Sequence, residues 1–305
     1  MNLSLLRVTQ LALVFGLCAA AVSAQETPLT RTFTAGSMET YKIELTLRVD
    51  VRGVSTQTVG QKTYVKPVSH SMQATIAWTS HRRILSAPTG GVAQIEETET
   101  PVSSECGTAP AADEEAQKLQ ASLQEICSWL DAARTLHYEE QPNGMIRDLP
   151  SDAPLTFGED APPLLALWLR RNLRPGVIFP ALPFRAGARS QRPVHASGMT
   201  GSETIEWADS ATTASAATLH VVQELSWPQP AAKSGFSNAG GTPAGRTIFF
   251  ADSNSSVSLL DGSVLNATRT ASRETTRALG SVEGLPRAPE FSSKLTIVVV
   301  VRRVS

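Results

Sequence analysis

Five histidines, His70, His81, His137, His195 and His220, are the first place to look for acid–base or metal chemistry. No two stand four residues apart and there is no His-Glu-x-x-His segment, so the helical pairing that holds a catalytic zinc is absent. His137 and His220 fall in alternating segments among polar neighbours, which reads as solvent-facing strand histidine. Serine chemistry lacks its positioning motifs: there is no Gly-x-Ser-x-Gly turn, and no lysine follows a serine by three residues. Glu96, Glu97, Glu99, Glu139 and Glu140 offer carboxylates for glycoside hydrolysis, but adjacent residues on a strand point to opposite faces. Asp252-Ser253-Asn254-Ser255-Ser256 opens like a calcium loop. Val257 and Ser263 stand where that loop needs glycine and its closing acid, so the segment reads as a polar turn between Phe250 and Val257. Gly240–Gly245 lacks the spacing of a phosphate-cradling loop. No catalytic residue, cofactor or metal site is assigned, and the reading leans against an enzyme.

Binding chemistry has a better candidate. Arginine outnumbers lysine 21 to 6, and Arg170, Arg171 and Arg174 form the one local concentration. They adjoin residues 175–187, an apolar stretch broken by three prolines that cannot be a central strand and is expected to pack as an irregular buried or rim loop. Trp168, Val177, Ile178, Phe179, Leu182 and Phe184 are the expected ligand contacts, with the three arginines as a basic rim.

Around these residues the chain reads as an exported β protein. Arg7, the apolar run Leu11–Val22 and Val22-Ser23-Ala24 have the order of a secretory signal peptide cut before Gln25, placing the remainder, residues 25–305, in the periplasm or outside the cell as one domain. No later segment reaches 18 uninterrupted apolar residues, so no transmembrane segment is expected after cleavage. Two cysteines then remain, Cys106 and Cys127, and in an oxidising compartment they are expected to pair. The charge balance, 27 basic against 28 acidic residues in 305, gives no electrostatic case for nucleic acid.

Tyr41 to Arg52 alternate apolar and polar for a dozen residues, the mark of a long antiparallel strand with one buried face. Similar alternation recurs at Met72–Trp78, Val92–Thr100, Thr204–Ala208 and Ala217–Trp227, with a last apolar strand at Leu295–Val301. Gln61–Lys66 is expected to return from the first strand, with Pro67 ending the pairing. Asn143-Gly144 and Asp261-Gly262 are hairpin turns, and 228–245 reads as a flexible loop. An amphipathic helix is expected over roughly 111–134, with Leu119, Leu123, Ile126, Cys127 and Leu130 inward, and a shorter helix from Pro162-Pro163 to Leu169.

The expected class is α+β, mainly antiparallel β: a long curved sheet or half-barrel of about eleven strands with one amphipathic helix packed on it, or alternatively a two-sheet β-sandwich. This layout resembles the lipoprotein-carrier and lipid-binding half-barrels of bacterial envelopes. The leading expectation for function is a non-catalytic exported protein holding an apolar, lipid-like small molecule or an envelope protein partner. The alternatives are a secreted hydrolase with dispersed active-site residues and a structural envelope protein pairing through a sheet edge, with Leu295–Val301 as that edge.

Overall fold

The computed structural model describes residues 28–59, 62–107, 131–148, 172–196, 198–208, 215–227, 245–278 and 290–305, together with seven positions between 117 and 128. Eleven strands make up its elements: β1 (Met38–Val59), β2 (Lys62–Ser86), β3 (Ala93–Cys106), β4 (Arg134–Glu140), β5 (Ile146–Asp148), β6 (Arg189–Ala196), β7 (Met199–Trp207), β8 (Ala216–Ser226), β9 (Gly245–Ser258), β10 (Val264–Ala278) and β11 (Glu290–Arg303). They form one antiparallel sheet in the order β5-β4-β3-β2-β1-β11-β10-β9-β8-β7-β6. Consecutive strands therefore lie side by side except β5 and β6, which stand at the two ends of the sheet, and the first and last strands, β1 and β11, pair at its middle. A single sheet excludes the β-sandwich alternative.

The sheet has one apolar face, as the alternation requires. Tyr41, Ile43, Leu45 and Leu47 of β1 and Ala74, Ile76 and Trp78 of β2 are buried, and Lys42, Glu44, Arg48 and Arg52 point the other way. Charges in that outward row do not suit a strand face meeting lipid. Ile297, Val299 and Val301 of β11 join the same core, together with Leu219 and Leu225 of β8 and Phe249 of β9.

The sheet is curled, and the strap of residues 29–37 shows how far. The Arg31 amide donates to Pro142 O in the β4–β5 turn, and the next amide, Thr32, donates to Asp261 O in the β9–β10 turn. Those turns are six strand steps apart, about 29 Å in a flat sheet at ~4.8 Å per step. Two adjacent amides span both only because the sheet bends round on itself. Gly262 sits at the crossing, at φ +68°, where a Cβ would stand 2.6 Å from Thr30 O. The sheet stays open between β5 and β6, its two free margins among the described residues.

Several expectations are corrected. No helix stands among the elements: helical backbone occurs at Gln117, Gln120, Ala121, Leu123, Gln124, Cys127 and Ser128, the rest of 111–130 lies outside the described residues, and the packed amphipathic helix is not supported. Leu123 and Cys127 are nonetheless buried in the main core. The shorter helix, the signal segment and the loop 228–244 also lie outside the described residues. Pro67 does not end a strand; it pairs with Val54 inside β2. It is tolerated because, among the described residues, β3 pairs with β2 only from Ala74 onward, so no described strand on that side misses its N–H. Residues 252–256 are not a turn but the middle of one continuous strand, β9. Leu295–Val301 is not an edge: β11 lies between β1 and β10, because apolar residues on both faces suit the centre of a sheet.

Cys106 and Cys127 form the expected disulfide, closing a separation of 21 residues, a bond compatible with an exported or periplasmic protein. It ties the end of β3 to the buried Cys127 position. Replacing both cysteines with serine is expected to cost about 3 kcal/mol on the loop-entropy scale. Urea denaturation of the variant and of the oxidised protein checks this, and coincident curves would contradict it.

Candidate functional site

The proline-broken segment packs inside the curl. Phe179 is buried in the core; Val177, Leu182 and Phe184 pack against it, and Phe184 meets Trp207 edge-on at 5.1 Å. Two walls hold the segment. From β10, Arg269, 2% exposed, donates through Nη1 to Asn172 O at 2.7 Å and Arg174 O at 2.8 Å, and through Nη2 to Gly176 O at 2.5 Å. From the β4–β5 turn, Asn143 O accepts the Phe179 amide at 2.8 Å. Gly144 lies so close to Val177 O that a Cβ would stand 1.8 Å from it. Prolines leave a segment without ladder partners, so its carbonyls need donors, and one guanidinium supplies three of the bonds.

Beside this segment lies a cavity of about 690 Å³. Its sheet wall follows from register. Arg192, Glu203, Gln223, Ala251 and Ala271 stand side by side across β6 to β10, all on the inward face. The neighbouring row carries Val194, Gly201, Leu225 and Phe249. Of the two alanines, Ala251 lines the cavity, a small side chain at an inward position beside Gln223 and Phe249. Met145, Ile146, Val177 and Ile178 close the far side. Both free margins, β5 and β6, thus border one cavity.

Glu203, 3% exposed, accepts Arg192 Nε at 2.6 Å and Nη2 at 2.5 Å, and also the Gln223 side-chain amide. Arg192 itself is 65% exposed at the margin.

A second polar cluster lies at the strap end and is closed to solvent. Arg82, 1% exposed, pairs with Glu39 and Glu140, and its Nε donates to Tyr138 OH at 2.8 Å. Tyr138 donates on to Glu97 at 2.6 Å, and Ser80 donates to the other Glu97 oxygen at 2.5 Å. Arg31 of the strap pairs with Glu39, Arg134 pairs with Glu99, and the Arg174 guanidinium lies 4.4 Å from the Tyr138 ring centre. Burial pushes the Glu39 carboxyl up, but Arg82 and Arg31 outweigh it and hold it below the ordinary range. Burial, with Glu97 two residues away, pushes Glu99 up against the pull of Arg134.

A carboxyl held low contributes stability that is present above its unfolded value, about 4.3, and lost as pH falls through the folded one. Glu39→Gln is therefore expected to cost about 2 kcal/mol at pH 7 and to converge with the wild type as pH falls below about 4. Denaturation midpoints across pH 3–7 check this; a gap that persists at pH 3 would contradict it.

Of the expected contacts, Val177 and Ile178 line the cavity, Phe179, Leu182 and Phe184 anchor the segment behind it, and Trp168 lies outside the described residues. Of the expected basic rim, Arg170 and Arg171 are likewise outside, and Arg174 is not a solvent-facing rim residue but 7% exposed, against Tyr138 and the cavity. The histidine–carboxylate contacts, His220–Asp252 at 3.0 Å and His137–Glu96 at 3.4 Å, stand on the outward face, half-exposed. Arg192, Glu203, Gln223 and Arg269 were invisible to apolar periodicity, since each is an inward polar residue. The signal that could have found them is alternation in size: Ala267, Ala271 and Ala251 mark an inward row wherever hydrophobicity is silent.

No family model and no curated protein matches the chain. Among solved structures it shows weak likeness to the Salmonella SPI-1 type III secretion injectisome secretin InvG in its open gate state, at 12% identity and a TM-score of 0.19, covering 97% of this chain and 66% of that one. The T2SS secretin XcpQ from Pseudomonas aeruginosa follows at 9% and 0.15, covering 95% of this chain and 62% of that one. Pseudomonas aeruginosa OccK7 (OpdD) stands at 8% and 0.10, with 88% and 100% covered. At these scores no property of those proteins carries over.

Proposed function

We propose that the protein is a non-catalytic binding protein of the cell envelope that holds an apolar, lipid-like ligand within the curl of its sheet. The observation that carries this reading is the cavity of about 690 Å³ bounded by the sheet's inward face and the proline-broken segment. Its size lies in the range of small-molecule sites, and Val177, Ile178, Val221, Leu225 and Phe249 give it an apolar wall beside the polar one of Arg174, Arg192, Glu203, Gln223 and Arg269. The signal-like N-terminal sequence and the disulfide support an oxidising, exported setting. The histidine–carboxylate contacts supply no support for a hydrolase, because they face outward, away from the cleft.

Ala251 lies in the cavity floor with Ala271 and Gln223 beside it, and leucine there would occupy the space a ligand needs. Native mass spectrometry of gently purified protein is expected to show bound lipid-sized adducts on the wild type, reduced at least about tenfold in Ala251→Leu, the ratio that 1.4 kcal/mol of lost binding gives. Bare chain mass for the wild type would overturn the reading.

A further inference from the structure

Within that binding reading, which this inference rests on, the cavity also carries information about the head of its ligand. We infer that the ligand is an amphiphile with an acidic head, a carboxylate or phosphate, seated beside Arg192 at the β5–β6 margin, with its chain running inward over Leu225, Phe249 and Ala251.

Three features point the same way. The charged side chains lining the cavity are Arg174, Arg192 and Arg269 against the single carboxylate of Glu203, so the wall sums to +2. A cleft with low-dielectric walls and one sign of charge focuses its field on the opposite sign. The polarity is also graded. Arg192 is 65% exposed on the edge strand, whereas Ala251 and Phe249, two strands further in than Glu203, are apolar. A head at the margin keeps part of its hydration, and the chain takes the dry floor, a division that costs least in desolvation. Finally, Arg192 presents a planar fork, the geometry that matches carboxylate and phosphate oxygens, and its present acceptor is the buried Glu203. A ligand head therefore shares or competes for that fork with Glu203, which gives the inference a sign that packing alone does not have.

Calorimetric titration of the full protein with decanoate, decyl phosphate, 1-decanol and decyltrimethylammonium, all below micelle formation, separates the outcomes. The two acidic probes are expected to bind at least about tenfold tighter than decanol, with the trimethylammonium probe weakest. Which acidic probe binds tighter distinguishes a fatty-acid from a phospholipid-type head. Arg192→Gln is expected to erase most of the preference for the acidic probes over decanol, and Glu203→Gln, which removes the competing carboxylate, to strengthen the acidic probes. Equal binding of all four overturns the head-group inference and leaves the apolar cavity standing. Binding of none overturns both, and a preference for the cationic probe overturns the sign of the charge argument directly.

Discussion

Arg82→Met is expected to destabilise the protein by about 3–5 kcal/mol at neutral pH, the penalty for breaking a buried ion cluster by removing one partner. The guanidinium is enclosed, and Glu39, Glu140 and the Tyr138 hydroxyl all bond it, with Glu97 3.9 Å away. Methionine fills much of the volume but leaves three carboxylates and a phenol in a dry pocket without the central cation. The loss follows the carboxylates and not the packing, so it has a pH signature: protonating them removes the uncompensated charge, and the gap to the wild type narrows below about pH 4. Urea denaturation at pH 7 and at about pH 3, below the carboxylate range, checks both parts. An equal loss at both values would show that Arg82 acts through packing.

Arg269→Met is the second large effect, about 4 kcal/mol, since three charge-assisted bonds to backbone carbonyls are lost at about 1.5–3 kcal/mol each, less what water recovers. Its consequence reaches function, because those bonds hold residues 172–176 against β10 and so set one wall of the cavity. Amide exchange at Phe179, bonded to Asn143 O, is expected to accelerate by at least about a hundredfold, the release that about 2.7 kcal/mol of local stability gives, together with loss of ligand adducts. Arg269→Lys recovers only part, because an ammonium lacks the planar fork that reaches all three oxygens. Unchanged exchange in the methionine variant would contradict the anchoring role.

How much of this was legible in the residues follows from what periodicity measures. Tyr41–Arg52 and Ala217–Trp227 announced themselves because large apolar side chains alternate with charges, and Asn143-Gly144 and Asp261-Gly262 because their glycines take positive φ, +77° and +68°. β6 did not, since Arg-Ser-Gln-Arg-Pro-Val-His-Ala is an edge strand with little buried area and a proline in it. The middle of β9 read as a turn because Ser253 and Ser255 face inward where bulk was expected, and Ser253 lines the cavity there. The proline-broken segment was legible as irregular and apolar, and its residues do meet the cavity. What holds it was not, because Arg269 lies nearly a hundred residues away and only the curl of the sheet brings the two together.

That curl is what every inference about the cavity depends on, and spin labels at Arg147 on β5 and His195 on β6 measure it directly. Ten strand steps at about 4.8 Å would hold the margins of a flat sheet about 48 Å apart. The structure, in which both margins border one cavity, predicts a distance distribution centred below about half of that flat-sheet span. A distribution centred above about 40 Å, near the flat-sheet value, would contradict the wrapped sheet and with it the cavity, its anchor and its ligand.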